Sequence, residues 1–227
     1  MPTSLPEALN TLSAGLILIS AFAMVATRQV QGVVRFFVVQ SLLLAASSFL
    51  LGYGRNSVHL WTLGAITVAA KVVAIPWVLR RLLPGDFYER REISQAVNIP
   101  SSLLLALLLT VAAEFLTGPL AMAARDPVVR VNLPIGLAGV LIGAYSLIAR
   151  REAIPQLIGI LAMENGAFFA GIAIAPELPI IAELAVAIDV ILIAVVVGLL
   201  TQNIRRTLGT TEAGALSELK EDPAAWL

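Results

Sequence analysis

Apolar residues lie along this chain in long unbroken blocks. Seven stretches, Ala8 to Ala26, Val33 to Tyr53, Val58 to Leu79, Ile99 to Ala121, Leu133 to Ala149, Ile154 to Ala175 and Leu178 to Leu200, are built mainly of Leu, Ala, Val and Ile. Each comes close to the about 20 apolar residues that carry a helix across a bilayer, and none alternates as a membrane barrel strand does. The pattern predicts an all-α integral membrane protein with seven transmembrane helices. Turn and charge signals fall between the blocks, at Thr27-Arg28, Gly54-Arg55-Asn56, Arg80 to Asn98, Ala124 to Asn132, Arg150-Arg151 and Pro176-Glu177.

The positive charges divide unevenly between the two sides that these spans define. The first, third and fifth connectors and the C-terminal tail hold Arg28, Arg35, Arg80, Arg81, Arg90, Arg91, Arg150, Arg151, Arg205, Arg206 and Lys220; the other side holds Arg55, Arg125 and Arg130. Positive residues stay inside, so the expectation is an external N-terminus and a cytoplasmic C-terminus. An odd number of spans then divides as 3+1+3, with the fourth helix reversing direction between two parallel repeats. Residues 1–81 form the first three-helix half, 82–132 a cytoplasmic connector and linker helix, 133–206 the second half and 207–227 a cytoplasmic tail. The halves show a faint likeness: GLILISAFAMVATR and GVLIGAYSLIARR each end a first span, and Gln40 and Glu164 follow at matching places.

Composition agrees with the pattern: 59% of residues are hydrophobic, 13% are charged and the mean hydropathy is +0.91. The net charge of zero adds nothing, because in a membrane the placement of charge matters more than its sum. There is no cysteine and one histidine, His59, so no thiolate cluster or His/Cys metal set is expected, and no cofactor or metal of the chain's own. The opening MPTSLPEALN lacks a basic region, and no cleaved signal peptide is expected.

Against this background, five ionisable residues stand out: Lys71, Glu114, Glu164, Glu183 and Asp189 all lie inside apolar blocks. A charge near the bilayer centre costs at least about 2.5–3.5 kcal/mol, so such residues are expected to face a bundle interior and to mark proton or ion pathways. At about 1.5 Å of rise per residue, Lys71, Glu164 and Asp189 share the midplane, while Glu114 and Glu183 sit nearer the outer side. Lys71 is too deep to snorkel, and a carboxylate partner from another span or a neighbouring subunit is expected for it. Asn165 follows Glu164, and Gly159, Gly166 and Gly171 make that span rich in small residues, which lets helices approach closely. A purely structural ion pair is the bland alternative. Proton exchange between a buried lysine and carboxylates is the functional one.

The segment IARREAIPQLIGILAMENGAFFAG, with the later NIRR, resembles NuoK, the three-helix membrane subunit of respiratory complex I, and its relative in Mrp-type antiporters. With the additional N-terminal helices and the string MENG, the whole chain resembles the hydrogenase-4 component E (HyfE-like) family. One departure stands out: the central glutamate of NuoK falls at the position held here by Leu161, three residues before Glu164, and the second NuoK acid aligns better with Asp189 than with Glu183. The resemblance implies a non-catalytic membrane subunit of a group 4 hydrogenase or formate hydrogenlyase-type complex, located in a bacterial or archaeal cytoplasmic membrane. It further implies antiporter-like and other membrane subunits as partners, indirect contact with a peripheral redox arm, and no nucleic acid. Lys71, Glu164 and Asp189 would then belong to a lateral proton path supported by Asn165 and Gln40. The connector RRLLPGDFYERREISQAVN and the tail TLGTTEAGALSELKEDPAAWL become candidate docking segments. Two other classes share parts of the pattern. A freestanding SWEET-like solute carrier has the same 3+1+3 layout, but would be expected to line its centre with neutral polar and aromatic groups. A structural scaffold would use its acids only to hold neighbours in register.

Overall fold

The computed structural model describes residues 4–82, 97–175 and 188. It is all-helical over these residues, with α1 (Leu5–Ala26), α2 (Val30–Arg55), α3 (Val58–Thr67), a π-helical segment (Val68–Ala74), α4 (Ile75–Leu82), α5 (Ile99–Ala123), α6 (Pro127–Ala149) and α7 (Ala153–Ile174). The segments α3, π and α4 form one continuous rod, so the described residues hold six helices long and apolar enough to cross a membrane. The expected seventh span, with Glu183 and Asp189, and both expected docking segments lie outside the described residues, apart from the last residues and the first few of the connector.

Most expected boundaries agree to within a few residues. The main difference is the connector Ala124 to Asn132, much of which is helix: α6 starts at Pro127. Asp126 is its N-cap and accepts from the Val128 amide at 2.8 Å, and proline at the first helical position needs no amide partner. The polar run therefore caps a helix, and Asn132 is carried inside the bundle. Asn98 caps α5 in the same way, accepting from the Ser101 amide at 3.0 Å. Asn56 ends α2 in the left-handed conformation, with φ 49°, and turns the chain directly into α3.

The π turn has a cause in the sequence. Pro76 has no amide to give to the carbonyl one α-turn earlier, and its ring crowds that carbonyl. The helix widens just upstream, where the Ile75 amide bonds to the Ala70 carbonyl five residues back. The result is a wider turn, and it contains Lys71.

Packing brings helices distant in sequence together. Helix α1 lies against α2, α6 and α5, α2 lies against α7, and the most extensive contact joins α6 to α7. Glycine makes that last contact possible. A Cβ on Gly166 would stand 2.6 Å from the Val140 amide nitrogen, and one on Gly143 would stand 2.6 Å from the Met163 nitrogen. The two backbones touch where any side chain would separate them.

Three apolar clusters fill the bundle. One gathers Met24, Val34, Phe37, Leu79, Ile154 and Leu161 at the end that carries Arg80, Arg81 and Arg150, here termed the arginine-rich end. Another gathers Ala14, Leu51, Leu60, Val128 and Phe169 toward the opposite end, where Arg55 pairs with Asp126. Helix α5 is the least enclosed, with 17% of its apolar window buried against 56% for α7, and it shows most of its circumference to the surroundings.

Candidate functional site

Three helices bring polar side chains together at the level between the two apolar ends. Gln40 and Ser41 come from α2, Lys71 from the π segment, and Glu164, Asn165 and Phe168 from α7. The Lys71 Nζ donates to Glu164 Oε2 at 2.9 Å and to Asn165 Oδ1 at 3.1 Å, and it lies 5.1 Å from the centre of the Phe168 ring. The Asn165 Nδ2 donates to Ser41 Oγ at 2.8 Å and to Gln40 Oε1 at 3.3 Å. The expected carboxylate partner of Lys71 is therefore Glu164, from another span of the same chain.

Burial makes this arrangement consequential. The Lys71 side chain is 1% exposed and that of Glu164 is 18% exposed. An ammonium so placed is tolerable only with a charged acceptor, further hydrogen bonds and a π-face, all of which surround it here. The opposite side of the network is incomplete among the described residues, where Glu164 Oε1 and Gln40 Nε2 are buried without a hydrogen-bond partner. Asn165 holds the centre, because its carbonyl faces the ammonium while its amide faces α2. The close seating of α6 on α7 through Gly143, Gly159 and Gly166 fixes the face of α7 that meets Lys71.

Of the five expected intramembrane charges, the three that lie among the described residues are not one set. Lys71 and Glu164 meet. Glu114 is exposed on α5, beside Val111 and Phe115, and does not face the bundle interior as expected. Glu183 and Asp189 lie outside the described residues.

The structure also shows polar groups that sequence reasoning missed. Ser41 adjoins Gln40 and completes the α2 side of the network, while Phe168, one turn beyond Glu164, supplies the ring; both passed as ordinary helix residues. Near the opposite end, Asn10 Nδ2 donates to Asn132 Oδ1 at 2.8 Å and Ser47 Oγ donates to Asn10 Oδ1, joining α1, α2 and α6. Asn132 was hidden by its placement in a connector. Arg150, counted among the positive charges of one side, is 3% exposed. Its Nη2 donates to the Met24 carbonyl in the last turn of α1, and burial pushes its pKa down to about 10. Beside it, Tyr145 donates to Ser102 Oγ at 2.7 Å, linking α6 to α5. Among the described residues no group of three His, Cys, Asp or Glu side chains is placed to hold a metal.

A bundle of long apolar helices around a buried, charge-paired network defines a multi-pass membrane protein with an intramembrane polar site. Comparison with known proteins narrows this. Over 210 residues the chain is 30% identical to the uncharacterised protein Rv0085 of Mycobacterium tuberculosis, covering 92% of this chain and 94% of that protein, and it belongs to the same family. Over 212 residues it is 25% identical to hydrogenase-4 component E of Escherichia coli and to the protein of that name in Shigella flexneri, covering 91% of this chain and 95% of each relative, and it is a distant homologue of both. No family model and no solved structure matches the chain.

Proposed function

We propose that this chain is a membrane subunit of a hydrogenase complex of the group 4 or formate hydrogenlyase type, related to complex I. In this reading the Lys71–Glu164 pair moves protons within a path that runs laterally through the membrane. Homology to hydrogenase-4 component E across most of the chain, together with the membrane helices, supports subunit membership. The observation that carries the proton role is the buried pair itself. One carboxylate oxygen of Glu164 holds the ammonium and the other is buried with its acceptor sites open to the described residues, and elsewhere in the same network the Gln40 Nε2 is likewise without a described partner. A proton delivered to that oxygen releases Lys71 from its counter-ion, and its departure restores the pair, so protonation and the ion pair are mutually exclusive states of one site. Asn165 holds Lys71 and Glu164 in register through either state. Glu183, Asp189 and Glu114 extend the path in this reading, and the electrons travel in partner subunits.

The proposed layout has seven spans arranged 3+1+3, with the N-terminus outside and the C-terminus cytoplasmic. The packing of α1 on α6 and of α2 on α7 supports it, because these are the members that a two-fold repeat would set against each other. Reporters fused in the Arg125 to Arg130 region and after Arg206 should read as external and cytoplasmic respectively.

Glu164→Gln within the intact complex tests the function. The variant keeps shape but leaves Lys71 without its counter-ion, so the amount of assembled complex is measured alongside; per assembled complex, electrons should pass to artificial acceptors at the parental rate while the coupled reaction falls. Parental coupling with assembly verified would contradict the proton role. Purification of the parental chain as a stable species, with no hydrogenase-type subunits beside it, would contradict subunit membership.

A further inference from the structure

Glu114 is an intramembrane charge with no compensating group among the described residues. It sits on α5 three residues past Val111, the middle of the helix, and nine residues short of its end at Ala123, about 13 Å along the axis. That is too deep for a three-carbon side chain to reach an interface. Among the described residues nothing hydrogen-bonds to it, and the residues around it on the outward face, Leu107, Leu108, Val111 and Phe115, are apolar and exposed, Phe115 by 84%. One turn away, Gly118 has open space where a Cβ would stand, which leaves room for another helix to approach closely. An acidic side chain in the middle of an apolar membrane-facing surface calls for a cation or a strong donor on whatever covers it.

Neither the described residues nor the expected seventh span supply such a group. The stretch from Pro176 to Leu200 contains no Lys, Arg, His, Ser, Thr, Asn or Gln, and its ionisable residues are Glu177, Glu183 and Asp189, all of the same sign as Glu114. A second copy offers little more. Its intramembrane cation, Lys71, is buried on Glu164, its exposed Arg35 lies near the arginine-rich end, and its His59 lies at the start of α3, a helix end away from Glu114. Charge complementarity therefore points to a different polypeptide.

We infer that the outward face of α5 around Glu114 is a docking surface for a transmembrane helix of another subunit that presents a Lys or Arg side chain at the depth of Glu114. This rests on the reading of the chain as a subunit of a larger membrane complex. It adds which face is covered and what chemistry covers it. The partner's cation lies against Glu114, its small or branched side chains fill the space beside Gly118, and its apolar surface seats on Val111 and Phe115.

The test uses the full-length chain expressed with its complex in the native membrane. Glu114→Leu suits a lipid-facing position, so it should insert in parental amounts, and yet its recovery in the complex should fall by about a hundredfold, the scale of breaking a buried ion pair. Glu114→Lys should fall at least as far, and Glu114→Gln less. A photo-crosslinking amino acid at Val111 should join the chain to one membrane subunit at a peptide next to a Lys or Arg, and changing that residue to Glu should restore recovery of Glu114→Lys. Parental recovery of the complex with Glu114→Leu would overturn the inference in favour of lipid contact. A crosslink to a second copy, or to residues 178–200 of the same chain, would also overturn it. These failures differ from failure of the underlying reading, in which the parental chain itself would co-purify with no other membrane subunit.

Discussion

The chain holds acids in two settings, Glu164 on α7 and Glu114 on α5, and they fare differently. Glu164 lies where three helices meet, with Lys71 2.9 Å away, an amide network behind that cation and one carboxylate oxygen in reserve. Glu114 lies on a helix with few neighbours, among leucines, with no partner among the described residues. The same functional group, about one helical turn apart in depth, is an internal device in one place and an unmet demand in the other. Depth alone does not decide the role of an intramembrane acid. What decides it is the face of the helix, and hence what the fold puts opposite.

The largest expected effect comes from breaking the internal pair on one side only. Lys71→Met leaves the Glu164 carboxylate in the bundle without its cation, and should destabilise the chain by about 3 kcal/mol, the lower end of the range for an orphaned buried charge because Glu164 retains some exposure. Thermal unfolding in detergent measures this, and a shift no larger than that of Arg35→Met would mean that Lys71 finds another partner. Next comes the support behind the site. Gly166→Leu forces α6 and α7 apart at a contact with no space for a Cβ, and should cost about 1–3 kcal/mol while loosening the register of Asn165 and Lys71. Smallest is Glu114→Leu in the chain expressed by itself, where removal of an exposed, unpartnered charge should change stability by no more than about 0.5 kcal/mol. A loss as large as that of Lys71→Met would show that Glu114 is compensated within the chain and would erase the contrast between the two acids.

What the sequence made legible follows the same division. Apolar length places the described spans closely, because the bilayer sets helix length directly. The rise of the helix also puts Lys71 and Glu164 at one level. Azimuth was not legible: these helices are apolar all round, so no stripe of polar residues marks an inward face and no pattern separates Glu164 from Glu114. Asn132 was misread because its neighbours Arg125, Asp126 and Arg130 look like a loop, although Asp126-Pro127 is an N-cap followed by a first-turn proline. The burial of Arg150 was not legible, because positive charge at a span end is usually solvated. Here the Met24 carbonyl at the end of α1 draws it inside.

The central claim is that Lys71 and Glu164 form a working proton site and do more than bind helices together, and one double variant tests it most directly. Lys71→Met combined with Glu164→Leu removes both charges and leaves neither orphaned, a replacement that buried ion pairs often tolerate with little loss of stability. In sealed vesicles, with the amount of assembled complex and the rate of electron transfer measured alongside, the account predicts parental assembly and loss of proton translocation. An assembled double variant that translocates protons like the parent would contradict it and leave the pair as a helix fastening.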